Sequence, residues 1–153
     1  MAHVKFDYSK ITEHIFLGTN FCCKAHFNED LLKKGITADI SLEEENSENP
    51  FGVKYFLWLP TKNYHAPTQQ QLLLGAVAID LLTETGAKVY VHCKNGHGRA
   101  PTLIAAYFVS LGKKVEEAIN LVKNKRPEIH LTREQLETLK LFEKGEIEKE
   151  PCC

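Results

Sequence analysis

Short apolar runs alternate with amphipathic segments along this chain. Four runs are rich in β-branched and aromatic residues, and they are predicted to be strands: 13–18 (EHIFLG), 36–42 (ITADISL), 53–60 (VKYFLWLP) and 88–93 (KVYVHC). The run at 53–60 is largely apolar, so it is predicted to be a buried strand that ends at its proline.

Five further segments have the pattern of helices: 28–35, 68–86, 99–112, 115–127 and 131–145. Asn28, Thr68 and Thr132 are predicted N-caps, and each threonine is followed three residues later by a glutamine, as in a capping box. Strands that alternate with helices predict an α/β fold. We expect a single domain with a central, mostly parallel sheet of four to five strands, flanked by helices.

Length and charge narrow the classes of function. The 153 residues fit one domain over 1–153, with a flexible tail from about residue 146. The formal net charge of −1 gives no field that would attract nucleic acid or anionic lipid, so any anion site has to be local. No secretory signal and no membrane-length apolar run stands out, so we expect a cytoplasmic protein without membrane insertion.

The cysteines form no recognisable metal or disulfide framework. They are Cys22, Cys23, Cys93, Cys152 and Cys153, an odd number that contains two adjacent pairs. Adjacent cysteines rarely bridge each other, and the spacing matches no zinc motif. We therefore expect free thiols in a reducing compartment and no bound metal.

The predicted strand at 88–93 runs directly into a glycine-containing loop and then a helix. Cys93 and Arg99 flank Gly96 and Gly98 in the stretch HCKNGHGR. Glycines let successive backbone N–H groups form an anion-binding nest, and the helix start adds its free N–H groups and dipole. A guanidinium can hold two oxygens of a tetrahedral oxyanion, and parallel sheets bind ligands at the carboxyl ends of strands. The loop is predicted to bind a phosphate-like dianion.

A thiol in this position loses its proton more readily than a free cysteine. Cys93 is therefore a candidate nucleophile for displacement at phosphorus through a covalent cysteinyl-phosphate. Arg99 and the loop would stabilise the oxygens in the transition state, and the phosphate-binding residues would be Lys94, Asn95, Gly96, His97, Gly98 and Arg99. A buried structural cysteine is the alternative for Cys93 taken alone, and His92 is a candidate to orient the loop.

Residues 92–99 match the H-C-x-x-G-x-x-R signature of the cysteine-dependent protein tyrosine phosphatase superfamily. The flanking pattern resembles the dual-specificity branch: 9–18 is similar to its opening strand, 31–45 to its helix–Gly-Ile–strand passage and 123–143 to its closing helices. The resemblance implies catalysis by Cys93 and Arg99 without metal or other cofactor. It also implies a phosphorylated protein or small phosphoester as partner, no nucleic acid, and a monomer.

The resemblance further implies an aspartate general acid on the loop after the strand at 53–60, where this chain has Asn63. An amide cannot donate a proton as a carboxylic acid does. Three interpretations stay open. In the first, Asn63 is an engineered substitution that traps substrate. In the second, Asn63 is a natural change that leaves a slow enzyme or a pseudophosphatase. In the third, His65 supplies the proton. A solvated loop residue is the alternative for His65.

Ala100, Gln135 and Lys94 each allow two interpretations. Many relatives have Ser or Thr where this chain has Ala100, and Thr102 is a candidate substitute. Gln135 resembles a glutamine that positions the hydrolytic water, although a capping box explains it equally well. Lys94 resembles the C-K loops of phosphatases that act on inositol lipids, or is simply exposed. The substrates implied are phosphotyrosine and phosphoserine or phosphothreonine on proteins, with inositol phosphates or lipids as an alternative.

Overall fold

The computed structural model describes residues 6–145 and 147. Its five strands lie in one sheet in the order β1-β2-β5-β3-β4: β1 Tyr8–Lys10, β2 Ile15–Gly18, β3 Ile36–Glu43, β4 Tyr55–Thr61 and β5 Lys88–His92. β1 is antiparallel to β2, and every other pair in the sheet is parallel. The prediction of an α/β fold with a mostly parallel four- to five-stranded sheet is confirmed.

Helices cover both faces of this sheet. They are α1 Glu29–Lys33, α2 Gln69–Glu84, α3 Arg99–Ser110, α4 Val115–Lys125 and α5 Arg133–Lys144, and a short 3-10 turn spans Asn20–Cys22. The Asn28 side chain accepts the Leu31 N–H, and Thr68 and Thr132 form the predicted capping boxes. None of the helices in the described residues is long and apolar enough to cross a membrane.

The core has two parts, one on each face of the sheet. The larger part joins the strands to α2, α3, α4 and α5, and α3 lies at its centre because every residue from Arg99 to Val109 is buried. The smaller part packs the 3-10 turn and α1 against the other face, around Phe27, Leu31 and Tyr90. The loop between β5 and α3 thus starts from the middle strand of the sheet and ends on the most buried helix.

The prediction of a buried strand at 53–60 is wrong. β4 lies at the edge of the sheet and, among the described strands, pairs with β3 alone, and Tyr55, Phe56 and Trp58 are about half exposed. Pro60 lies inside the strand instead of ending it. An edge strand tolerates proline because its outer N–H groups have no partner strand.

The expectation of free thiols is wrong for one adjacent pair. Cys22 and Cys23 are joined by a disulfide, and both are buried in and just after the 3-10 turn, which places their side chains together against the sheet. Cys93 is a free thiol. Cys152 and Cys153 lie outside the described residues, as does the expected tail over 146–153 apart from residue 147.

Candidate active site

The loop after β5 is held close to β2. Cys93 is 3% exposed at its start, and Gly96 adopts a left-handed backbone with φ of 70°. A Cβ atom on Gly96 would lie 2.8 Å from the Gly18 carbonyl oxygen, which is too close for any side chain. Glycine at 96 therefore serves both the backbone conformation and the close approach to the neighbouring strand.

The Arg99 guanidinium lies beside this loop and is 2% exposed. Its Nη1 donates to the Thr61 carbonyl oxygen at 2.8 Å and to the Glu45 carboxylate, while Nη2 donates to the second Glu45 oxygen at 3.1 Å. These bonds engage three of the five N–H groups of a guanidinium. Among the described residues nothing accepts from Nε–H or from the second Nη2–H, which form one edge. That edge has the geometry to bind two phosphate oxygens side by side.

Glu45 is a site residue that sequence reasoning missed. The acidic run at 43–50 (EEENSENP) has the composition of a solvated loop, but Glu43 is buried and Glu45 pairs with Arg99 across 54 positions of sequence. Partial burial alone would raise the pKa of Glu45, but the hydrogen bond and charge of Arg99 lower it below its usual 4.5. The ion pair therefore stabilises the fold at higher pH and weakens as the pH falls through that lowered pKa.

Glu45→Gln is expected to lower kcat/KM for an aryl phosphate by about tenfold, because the neutral amide loses a charge-assisted hydrogen bond worth about 1.5–3 kcal/mol. The affinity for inorganic phosphate as a competitive inhibitor is expected to fall with it. Steady-state kinetics at neutral pH measures both. Glu44→Gln is the matched control, because Glu44 is exposed and the charge change is the same. Equal losses in the two variants would contradict a positioning role for Glu45.

Arg126 lies in the stretch 123–143 that carries the resemblance, but sequence reasoning gave it no role in the site. Its guanidinium, 1% exposed, donates to the Gly96 and Asn95 carbonyl oxygens at 3.0 and 3.1 Å. It also contacts the Ser9 hydroxyl and the Asp7 carboxylate, each at 3.1 Å. Because a peptide C=O and its N–H point in opposite directions, the N–H groups of these peptide units face away from Arg126. Arg126 thus orients the backbone of the loop.

Arg126→Met is expected to destabilise the protein by about 2 kcal/mol, since two buried carbonyl oxygens lose their donors. It is also expected to lower kcat/KM by at least about tenfold, because the loop loses its fixed orientation. Urea unfolding and aryl phosphate kinetics test the two effects. Arg133→Met is the control: the Arg133 side chain is 93% exposed, so its unfolding free energy is expected to change by about 0.5 kcal/mol or less.

A cavity of about 80 Å³ opens above Cys93. Most of the predicted loop residues border it, together with residues from the loop after β4 and from the start of α5: Asn63, Tyr64, Cys93, Asn95, His97, Gly98, Arg99, His130, Thr132 and Gln135. The structure therefore brings Asn63, Cys93 and Arg99 to one small polar cavity, although 30 or more residues separate Asn63 from the other two.

Asn63 faces the cavity, whereas His65 points elsewhere. The Asn63 Oδ1 accepts the Tyr64 backbone N–H at 3.1 Å, and Tyr64 has a left-handed φ of 68°. His65 does not border the cavity, and its Nδ1 lies 3.0 Å from the Glu134 carboxylate on the surface. Asn63 therefore borders the cavity together with Cys93, whereas His65 does not.

Gln135 and Thr102 both have structural partners. The buried Gln135 side chain donates from Nε2 to the His65 carbonyl oxygen at 3.0 Å and accepts the Thr132 N–H at 2.9 Å. It also borders the cavity, so a role in placing water stays compatible with its capping role. The Thr102 hydroxyl donates to the Gly98 carbonyl oxygen at 2.6 Å and does not border the cavity, which disfavours it as a substitute for the missing hydroxyl at Ala100.

Two loop residues differ from expectation in where they point. Lys94 is exposed and borders a separate cavity with Lys24 and Glu48. His92 is fully buried, and its Nε2 faces Asp39 and Glu48 at 3.0 and 3.2 Å instead of the loop. Burial alone would lower the pKa of His92, but the two carboxylates outweigh burial and raise it well above its ordinary value.

This fold and this loop define a family. The family model described as "Dual specificity phosphatase, catalytic domain" matches residues 15–145, so the chain belongs to that family. It is similar to human phosphatidylglycerophosphatase and protein-tyrosine phosphatase 1, with 38% identity over 79 residues that cover 51% of this chain and 39% of the relative.

Two further comparisons agree with this family. Human dual specificity protein phosphatase 5 is 29% identical over 119 residues, which cover 76% of this chain and 30% of that protein. The matched parts thus span well under half of both human relatives. The crystal structure of PTPMT1 in complex with PI(5)P superimposes with a TM-score of 0.76 at 27% identity, covering 90% of this chain and 95% of that one.

Proposed function

We propose that the chain is a phosphatase that hydrolyses phosphomonoesters on proteins, with phosphotyrosine preferred over phosphoserine and phosphothreonine, through a phosphoenzyme on Cys93. The free edge of the Arg99 guanidinium beside the buried Cys93 thiol is the observation that supports this most strongly. The site offers a nucleophile, an oriented cation and a loop of N–H donors in one cavity, which is what phosphoryl transfer requires.

The proposed reaction has two steps. The Cys93 sulfur attacks phosphorus, and the S–P bond forms while the P–O bond to the leaving oxygen breaks. Arg99 and the loop N–H groups hold the three remaining oxygens. Water then attacks phosphorus, the S–P bond breaks, Cys93 returns to a thiolate, and inorganic phosphate leaves.

The identity of the residue at 63 supports the substrate preference. With an amide there, the leaving oxygen departs without a proton from a carboxylic acid. A phenol, with a pKa of about 10, is a much better unprotonated leaving group than an alkyl alcohol. The cavity rim adds aromatic surface, because Tyr64 is exposed and the His97 and His130 rings lie 5.2 Å apart. Aryl phosphates suit such a site better than seryl phosphates.

A pseudophosphatase is the second candidate, and the same Asn63 supports it. A chain that forms the phosphate complex but turns over very slowly would bind phosphorylated partners without releasing phosphate. Such a function needs Arg99 and the loop as they stand. It needs no proton donor at position 63.

A leaving-group series separates the two candidates. Aryl phosphates of increasing phenol pKa, phosphotyrosine and phosphoserine peptides, and an inositol phosphate are mixed with the protein, and the reaction is quenched in acid within its first turnover. A phosphatase is expected to show a phosphoryl adduct on Cys93 by mass spectrometry, with a rate that falls steeply as the leaving-group pKa rises. Binding without an adduct would identify the pseudophosphatase, and neither binding nor an adduct would overturn both.

A further inference from the structure

Four side chains, with one cysteine sulfur, two carboxyl groups and one imidazole, converge beneath the phosphate-binding loop. Cys23 follows the 3-10 turn, Asp39 lies on β3, Glu48 lies in the loop after β3, and His92 ends β5. The His92 Nε2 lies 3.0 Å from Asp39 Oδ1, 3.2 Å from Glu48 Oε2 and 3.8 Å from the Cys23 sulfur. The Cys23 sulfur lies 3.2 Å from Asp39 Oδ2. Each side chain is at most 6% exposed.

Two buried carboxyl groups of this cluster compete for one nitrogen of His92. One imidazole N–H donates one hydrogen bond, yet two carboxylates approach the same nitrogen. Asp39 Oδ1 and Glu48 Oε2 are buried and accept no hydrogen bond among the described residues. The other oxygens have partners, since Glu48 Oε1 accepts from the Ser41 hydroxyl at 2.7 Å and Asp39 Oδ2 lies 3.2 Å from the Cys23 sulfur, which is a donor when it is a thiol. At the shared His92 nitrogen, however, one buried carboxyl oxygen is left without a donor, and a bound cation would satisfy it.

The position of Asp39 strengthens this argument. It lies in a strand with neighbours on both sides, in register with Phe56 on β4 and Tyr90 on β5. Such positions in parallel sheets are normally apolar. The fold has placed an ionisable group in its interior at a point where Phe56 and Tyr90 offer it no charge partner.

The donor set and its spacing fit a metal ion. Thiolate, imidazole and carboxylate are the ligands of Zn²⁺, with bonds of about 2.0–2.3 Å, so ligand atoms in a tetrahedral site lie about 3.3–3.8 Å apart. The measured separations of 3.0, 3.2 and 3.8 Å fall around that range. Cys22, Cys23, Asp39 and His92 offer ligand atoms that all lie within 4.8 Å of one another.

We propose that Cys23, Asp39 and His92 bind a buried Zn²⁺ ion when the Cys22–Cys23 disulfide is reduced, with the Glu48 carboxylate beside His92. Two molecules of a thiol reductant supply two electrons and two protons, leave as their own disulfide, and convert Cys22 and Cys23 to thiols. Cys23 releases its thiol proton and His92 releases its Nε2 proton as the two residues bind the ion, while Cys22 stays a thiol. The disulfide and the metal are alternatives, because a sulfur in a disulfide offers no thiolate.

The site bears directly on the loop above it. His92 is both a ligand and the residue before Cys93, so an ion here would fix the end of β5 through Asp39 on the neighbouring strand. A buried metal site contributes to folding stability, because its ligands come together only in the folded chain. The oxidation state of Cys22 and Cys23 would then determine how firmly the start of the loop is held.

The test uses the full chain with Cys93, Cys152 and Cys153 replaced by serine, so that only the Cys22–Cys23 pair can supply a thiolate. The protein is reduced with dithiothreitol, desalted under argon and titrated with Co²⁺ and then Zn²⁺. One equivalent of Co²⁺ is expected to give a thiolate charge-transfer band and tetrahedral d–d bands that Zn²⁺ displaces. The oxidised protein is expected to bind at least tenfold more weakly. This background carries no nucleophile, so the outcome is independent of the proposed phosphatase activity.

Cys22→Ser and Cys23→Ser, each made separately in this background, show which of the two cysteines binds the ion. Cys22→Ser is expected to bind the ion without prior reduction, whereas Cys23→Ser is expected to lose at least tenfold in affinity, and Asp39→Asn likewise. Zn²⁺ is expected to raise the melting temperature of Cys22→Ser but not of Cys23→Ser, which keeps the test valid if Asp39→Asn folds poorly. Absence of stoichiometric metal in the reduced protein, unchanged binding by Cys23→Ser, or equal losses in both cysteine variants would overturn the proposal.

Discussion

Cys93→Ser is expected to abolish the hydrolysis of aryl phosphates, with a fall in kcat on the order of 10⁴-fold or more, as is usual when a covalent nucleophile is removed. A serine hydroxyl is not ionised at neutral pH, so no S–P or O–P bond forms. Serine is close to cysteine in size, and Arg99 keeps its bonds to Glu45 and Thr61. Binding of inorganic phosphate is therefore expected to change by only a small factor.

Steady-state kinetics with para-nitrophenyl phosphate and calorimetric titration with phosphate measure the two quantities separately. Cys153→Ser is the control, since it removes a thiol from the terminal segment and is expected to keep full activity. Hydrolysis that persists in Cys93→Ser would contradict the phosphoenzyme mechanism. Loss of phosphate binding together with activity would mean that the substitution had disturbed the loop itself.

Asn63→Asp is expected to have the second large effect, a gain of about 10²-fold or more in kcat for substrates with poor leaving groups. Asn63 borders the cavity above Cys93, so a carboxylic acid there is placed to protonate the leaving oxygen. Para-nitrophenyl phosphate, whose leaving group needs little protonation, is expected to gain far less. The variant should also acquire a fall in activity as the pH rises through the pKa of the new acid.

His65→Ala is the matched control for this loop. Because His65 faces Glu134 on the surface, its removal is expected to leave the activity of the parent chain unchanged within about twofold. A loss of tenfold or more would instead assign the proton to His65. No gain in Asn63→Asp on any substrate would show that position 63 does not serve the leaving group.

Local patterns predicted the helices well because their ends are determined by neighbouring residues. The capping boxes at Thr68 and Thr132 involve partners three residues away, and both are present. The burial of β4 could not be predicted from neighbouring residues. Its apolar composition is compatible with either a central or an edge position, and only the pairing of β3 with β5 leaves β4 at the edge.

The candidate site likewise combines features that local sequence predicts with features that depend on long-range contacts. The loop from Cys93 to Arg99 is contiguous in sequence, so its elements could be identified together. Glu45 and Arg126 reach the loop from 54 and about 30 positions away, and the sequence around each gives it no role in the site. The pairing of Cys22 with Cys23, and their closeness to His92, depend on how the 3-10 turn packs against the sheet. Long-range contacts of this kind require the fold.

The edge strand β4 has a consequence for how the chain behaves at high concentration. An exposed strand edge is a template for pairing with another molecule and so for aggregation. Near the end of β4, Pro60 has no N–H to offer, and the Trp58 indole bends back to donate to the Glu43 carbonyl oxygen at 2.7 Å. The opposite edge, β1, is only three residues long. Within the described residues, the proline near the end of β4 and the shortness of β1 limit how far a foreign strand can pair along either edge.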